Sequence, residues 1–173
     1  MKRLDILVVI FLAGCWAGCN KSDGSANESP AAKGGYVVPS GPQPKLQSMP
    51  LYIGAQTLDT ELALTPEQEE TGLMYRTNIT DETAMLFVLP GPERASFWMT
   101  NCPISLSAAY IGPDGVIEEI HHLEKNDNVP VMATNDNIQY VLEVNDGWFI
   151  RHDIKAGTLI RTERGSLAQT FRR

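Results

Sequence analysis

Four side chains of this 173-residue chain carry chemistry that a small pocket would use: Arg76, Trp98, Asn101 and Glu143. Arg76 offers a planar fork of donors suited to a carboxylate or a phosphate. Trp98 offers a flat face for a sugar or another flat apolar ligand and would form the pocket floor. Asn101 and Glu143 add hydrogen-bonding groups, one at a corner and one on the polar side of a strand. Each also has a plain structural reading: Arg76 pairs with an acid, Asn101 caps a turn through its side chain, and Trp98 fills core. A second set is nucleophilic. Cys102 with His121 or His122 as base would give a thiolate able to attack. No third residue to orient the base is evident, and a small buried thiol explains Cys102 more simply. His121 and His122 are adjacent, so on a strand they face opposite ways and cannot chelate together. His122 with Glu118 or Glu124 gives two ligands on one face, fewer than a metal site needs. Met74 and Met99 have the softness that copper(I) prefers, but they also suit core packing. No residue is read as catalytic or as a resident metal ligand, and no cofactor is implied.

The elements that must position these groups are mostly strands. Phe97 and Met99 fall on one face of a strand and Trp98 on the other. Asn101 and Pro103 end or bend it, and Ile104, Leu106, Ala108 and Tyr110 begin a new alternation. Upstream, Leu51 and Ile53 alternate, Gly54-Ala55-Gln56 turns, and Leu58, Thr60 and Leu62 alternate again, with Asp59 and Glu61 on the opposite face: a hairpin. Thr65-Pro66-Glu67-Gln68 predicts a short helix start with a capping box and proline in the first turn, ending near Leu73-Met74. Ala84 to Leu89 is a continuous apolar run, the length of a strand buried on both faces. Gly112-Pro113-Asp114-Gly115 predicts a tight turn before a strand from Val116 to about Leu123. In Ile138 to Val144, Ile138, Tyr140, Leu142 and Val144 face inward, which turns Glu143 to the polar side. One or two helical turns follow over Trp148 to Asp153, then a short strand over Ile154 to Ile160. With one clear helix and no βαβ rhythm, the fold class is mainly β: an antiparallel jelly-roll-like sandwich or a partly open barrel with one short helix.

The N-terminus locates the chain. Met1-Lys2-Arg3 is positive, and Ile6 to Leu12 is an apolar run too short to span a membrane as a permanent helix. Leu12-Ala13-Gly14-Cys15 resembles the bacterial lipobox, in which small side chains beside the scissile bond precede a lipidated cysteine. Trp16-Ala17-Gly18-Cys19 is a poorer second match because Trp stands where Leu is preferred. The expected organisation is a leader over 1–14, a tether over 15–49 lipidated at Cys15, a β-rich domain over 50–163 and a frayed polar tail over 164–173. The partners implied are a membrane, reached through the N-terminal lipid, and a small envelope ligand or envelope protein. The expected location is the bacterial cell envelope, facing the periplasm. A net charge of −7 with no basic cluster in the domain argues against nucleic-acid binding, which needs a cationic face.

Five motifs in order then carry a resemblance: Gly72-Leu73-Met74-Tyr75-Arg76, Met85-Leu86-Phe87-Val88, Phe97-Trp98-Met99-Thr100-Asn101, Asp114-Gly115-Val116 and Tyr140-Val141-Leu142-Glu143-Val144. Together they resemble the domain-of-unknown-function 192 family over about Leu51 to Ile160. The resemblance implies a compact β-sandwich of jelly-roll type with a short helix, and no established activity. This chain departs from the family pattern at Thr100, where Lys is usual, and at Cys102, where Thr is usual. It departs again at Ser105-Leu106-Ser107, where Pro-Leu-Asp is typical, and at Thr158, where the closing Gly-Asp has its acid. The missing Lys and Asp favour a non-catalytic ligand-binding or accessory module. The alternatives are an envelope hydrolase and an envelope metal-handling protein.

Overall fold

The computed structural model describes residues 38–172. The leader, Cys15, Cys19 and most of the expected tether lie outside those residues. The protein is mainly β, as expected. Its main sheet has eight strands in the order β10-β9-β1-β2-β3-β8-β5-β6. In chain order these are β1 (Ser48–Ile53), β2 (Gln56–Ala63), β3 (Thr83–Glu93), β5 (Leu106–Ile111), β6 (Ile117–Leu123), β8 (Ile138–Asn145), β9 (Ile160–Thr162) and β10 (Gly165–Ser166). A separate two-stranded ribbon pairs β4 (Ser96–Phe97) with β7 (Val131–Met132). The ends of the large sheet approach each other where Val116, just before β6, bridges Leu159, just before β9. The result is a curled, open sheet rather than a closed barrel.

The β1–β2 hairpin forms where the alternation predicts it, with Ile53 paired to Gln56 across the turn. Helix α1 (Pro66–Thr71) starts at Thr65, whose hydroxyl accepts from the Gln68 amide while the Gln68 side chain accepts from the Thr65 amide. It stops at Gly72, whose φ of 47° is left-handed; a Cβ there would also lie 3.2 Å from the Phe87 ring. The chain then returns so that β3 lies parallel to β2. This β2–α1–β3 crossover is the one departure from antiparallel pairing in the sheet, and its six-residue helix is too short to give a βαβ rhythm in the sequence.

Two further helices complete the described residues. Helix α2 (Trp148–Arg151) buries Trp148 and Phe149. It is pinned by Asp81, whose carboxylate accepts from Arg151 and Asn145 at 2.7 Å each and whose carbonyl accepts from the Trp148 indole at 2.8 Å. Helix α3 (Leu167–Thr170) lies in what the sequence predicts as a frayed tail. It is instead held by a second capping box, Ser166 with Gln169, and by the fully buried Leu167. The expected tether boundary also moves. Pro39 to Gln47 lie along the domain, with the Gln43 side chain donating to the carbonyls of Gln68 and Gly72. The Leu62 amide donates to the Gln47 carbonyl in the same way.

Both faces of the sheet are buried. Leu51, Leu86, Leu142, Val144, Trp148 and Leu167 belong to one core, enclosed by the curl of the sheet. Phe87, Tyr110, Val141, Met99 and Cys102 belong to a second core on the other face, under the loops and the ribbon. The site residues predicted from the sequence gather around this second core.

Candidate functional site

After β4 the chain makes a tight corner that several backbone bonds hold. Met99 donates to the Asp127 carbonyl at 2.9 Å, Cys102 to Met99 at 3.0 Å, and Asn126 to Cys102 at 2.9 Å. The loop after α1 joins from the side, with the Tyr75 amide donating to the Asn101 carbonyl at 2.7 Å. Four described residues other than glycine have left-handed backbones, and three of them, Tyr75 (φ 61°), Asn101 (φ 60°) and Asn126 (φ 55°), meet at this corner. Asn tolerates that conformation because its short side chain bonds locally; an aromatic residue there is strained. Strain of this kind costs roughly 1–3 kcal/mol per residue and gathers at functional sites.

Arg76 follows directly and is fully engaged. Its Nη1 and Nη2 donate to Glu61 Oε1 and Oε2 at 2.5 and 2.8 Å, and Glu61 Oε2 also accepts from the Leu46 amide at 2.7 Å. Burial alone would push the Glu61 carboxyl up. The Arg76 bonds, the Leu46 amide and the guanidinium charge outweigh it and hold the group below its ordinary value. The guanidinium fork is therefore spent inside the fold rather than presented to a ligand.

Glu143 is buried instead of facing solvent, because β8 lies in the middle of a sheet covered on both sides. Its neighbours in register are Met85 on β3 and Ala108 on β5. The row continues to Glu61 beyond Met85 and to His121 beyond Ala108. Glu61 and Glu143 are thus two strands apart on one face, roughly 10 Å. Glu143 is 4 % exposed, and burial pushes its carboxyl up to about 8, with no hydrogen bond or cation offsetting the effect. Cys102 lies close enough to feel it: burial first, then the Glu143 charge, raises the thiol to about 11. Burial and then the same carboxylate also raise the Tyr110 phenol, which donates to the Val131 carbonyl at 2.6 Å.

These facts bring Arg76, Asn101 and Glu143 into one neighbourhood but not into one open pocket. Trp98 is not its floor; it is 52 % exposed on the outward side of the ribbon. The Cys102–His pairing does not form. His121 Nε2 bonds Glu119 at 2.8 Å and its ring packs on Tyr110 at 4.7 Å. On the opposite face, His122 Nδ1 bonds Asp146 at 2.9 Å and Nε2 bonds Glu124 at 3.3 Å. The two carboxylates sit at opposite edges of that ring, so they cannot share one ion with it. Met74 and Met99 are both buried. Among the described residues no group of three or more His, Cys, Asp and Glu side chains is arranged to hold a metal. Two of the departures are locally satisfied: Thr100 bonds Asn128 at 2.7 Å, and Ser107 Oγ accepts from the Gly147 amide at 2.9 Å.

Sequence reasoning misses three participants. Glu61 claims Arg76, and its only sequence signal is its parity with the small apolar Ala63. Tyr75 has no signal at all, since its backbone is set by a tertiary bond. Met132, 53 % exposed, joins Trp98 through the pairing of β4 with β7, which no local pattern announces. An open cavity of about 460 Å³ also lies at the β1/β9 edge, lined by Tyr52, Gly54, Thr158, Leu159, Arg161 and Thr162.

The family described as domain of unknown function 192, "Uncharacterized ACR", matches residues 50–162. A protein of unknown function from Novosphingobium aromaticivorans has a similar crystal structure, with a TM-score of 0.64 and 33 % identity over 67 % of this chain and 86 % of that one. A protein described as a putative transcription regulator, from Sinorhizobium meliloti, superposes with a TM-score of 0.66 at 27 % identity over 69 % of this chain and 97 % of that one. Among curated proteins none matches.

Proposed function

The chain belongs to the domain-of-unknown-function 192 family, and from that footing we propose that it is a lipid-anchored accessory module of the bacterial envelope, one that binds rather than transforms. In this reading Cys15 carries the lipid and the domain faces the periplasm. The contact surface is the corner from Trp98 to Cys102. The observation that carries the reading is the gathering of Tyr75, Asn101 and Asn126, all left-handed, at one hydrogen-bonded corner with Trp98 turned outward. Backbone strain is retained there although the surrounding strands are regular. Arg76 and Glu61 serve as positioning residues for the loop after α1.

One observation favours a second reading, an envelope hydrolase. Glu143 holds a carboxyl that stays protonated near neutrality, the state a general acid requires. Its burial, with 4 % exposure, leaves it little access to a substrate, which ranks this reading second.

The test has two parts. Mass analysis of the N-terminal peptide from the membrane fraction is expected to show a lipid on Cys15, and Cys15→Ser is expected to move the chain to the soluble fraction. An unmodified N-terminus on a soluble wild-type chain overturns the anchor. A photo-crosslinking residue at position 98 is then compared with one at Ile150, an exposed apolar position on α2. Crosslinks to envelope material are expected from position 98 only, and they survive Cys102→Ala. Equal crosslinking from both positions overturns the contact surface.

A further inference from the structure

The ribbon of β4 and β7 has two unlike faces. Phe97 and Val131, one register pair, turn onto the second core. Ser96 and Met132, the adjacent pair, turn away from it, and strand alternation puts Trp98 on the same outward side. Val129 stands two residues before β7 and is more exposed than either Trp98 or Met132. Trp98 and Met132 are therefore held out on one side of the ribbon as an apolar tip, with Phe97 and Val131 packed behind them and exposed Val129 just upstream in the chain.

We infer that this tip seats on a zwitterionic lipid surface, the same surface that holds the N-terminal lipid, so the inference rests on the anchor proposed above. The first argument is where the preceding chain meets the domain. Pro39, next to the first described residue, accepts a hydrogen bond at 2.7 Å from the Tyr75 hydroxyl. The Tyr75 amide in turn bonds Asn101, three residues beyond Trp98. The first described residues are thus tied, through Tyr75, to the corner that follows Trp98. The second argument is reach. The 22 residues between Cys15 and Val38 can reach at most roughly 75 Å. A lipid at Cys15 therefore holds the domain within that distance of the bilayer, which raises the effective concentration of the tip there. The third is chemistry. An indole prefers the headgroup level, where its ring is apolar and its N–H stays wet, and Met and Val side chains suit the adjacent acyl boundary. The fourth is charge. With 20 acidic against 12 basic side chains from Cys15 onward, the lipidated chain gains nothing from anionic headgroups, which favours a zwitterionic surface. Docking of this kind fixes the orientation of the domain on the membrane, while the lipid fixes its location.

The full lipidated chain, reconstituted in phosphatidylethanolamine–phosphatidylcholine vesicles with and without brominated acyl chains, tests this. Trp16→Phe removes the indole beside the anchor, and buried Trp148 remains as an internal control. Trp98 emission is expected to shift to the blue and to fall at least twofold in brominated vesicles. Adding Trp98→Phe is expected to leave an emission that bromine does not change. Val129→Ser with Met132→Ser is expected to reduce the quenching of Trp98 several-fold. Lipid on the N-terminal peptide, with Trp98 emission equal in the two vesicle types, overturns the inference and leaves the anchor standing. Concentration-dependent dimers that shield Trp98 from bromine overturn it in favour of a second copy, and crosslinks from position 98 to protein alone overturn it in favour of a protein partner. An N-terminal peptide without lipid overturns the anchor and the inference together, and mass analysis identifies that case.

Discussion

Replacing Glu143 with Gln should change how the stability of the fold depends on pH. The folded protein binds the Glu143 proton more tightly than the unfolded chain does, because burial lifts its carboxyl from 4.5 to about 8. Stability contributed by such a group is complete below the unfolded value and is lost as pH rises toward the folded value. At about 1.4 kcal/mol per pH unit, the whole span is worth on the order of 5 kcal/mol, and about 3–4 kcal/mol of it falls between pH 5 and pH 8. Against a typical total of 5–15 kcal/mol this is a large share. Urea unfolding of wild type and Glu143→Gln at both pH values measures it. The wild type is expected to lose about 3–4 kcal/mol more than the variant on going from pH 5 to pH 8. His122, raised by Asp146 and Glu124, contributes in the same direction, but it is present in both proteins and cancels in the comparison. Glu61, Asp81 and Glu119 are lowered, so their contribution disappears as pH falls, mainly below this window, and it cancels as well. Equal pH slopes in the two proteins would refute the claim that Glu143 is buried without compensation.

Asn101→Gly should stabilise the fold by about 0.5–1 kcal/mol and Asn101→Ala should destabilise it by about 1 kcal/mol, because only the latter raises the cost of the left-handed backbone; thermal melts distinguish the two. Arg76→Ala should cost about 3 kcal/mol, since it leaves the Glu61 carboxylate largely buried with only the Leu46 amide, and a double-mutant cycle with Glu61→Ala should return a coupling of at least 1 kcal/mol. Cys102 should resist a thiol-exchange reagent at pH 8 until denaturant is added, because burial and the nearby carboxylate keep it protonated; rapid labelling of the native protein would contradict its placement.

Local patterns disclose much of this architecture where one segment contains the whole signal. The capping box at Thr65 and Gln68 is complete in four residues, and the run from Ala84 to Leu89 identifies a strand buried on both faces without reference to its neighbours. The same two signals recur where polarity masks them. Ser166 and Gln169 form a second capping box inside a polar tail, and Val141 marks the second buried face of β8 even though Gln139 and Glu143 flank it. Glu143 reads as exposed because charge is taken as evidence of solvent, while its burial is decided by strands on either side. The pairing of Arg76 with Glu61, the bond between Tyr75 and Asn101, and the company of Trp98 with Met132 are all tertiary. Each joins positions at least 15 residues apart, so none leaves a periodic trace.

The pairing of Tyr52 and Ile53 with Arg161 and Ile160 joins the first strand of the described chain to the last but one. A ribosome delivers β1, and the β2 strand it pairs with on one side, about a hundred residues before β9 exists on the other. During synthesis the β9 side of β1 therefore waits unpaired, and closure of the sheet along that side is postponed until β9 emerges. Shortening the protein from its C-terminus should then leave a nascent product open to proteases along β1, even though the deleted residues are far from that strand in order of translation.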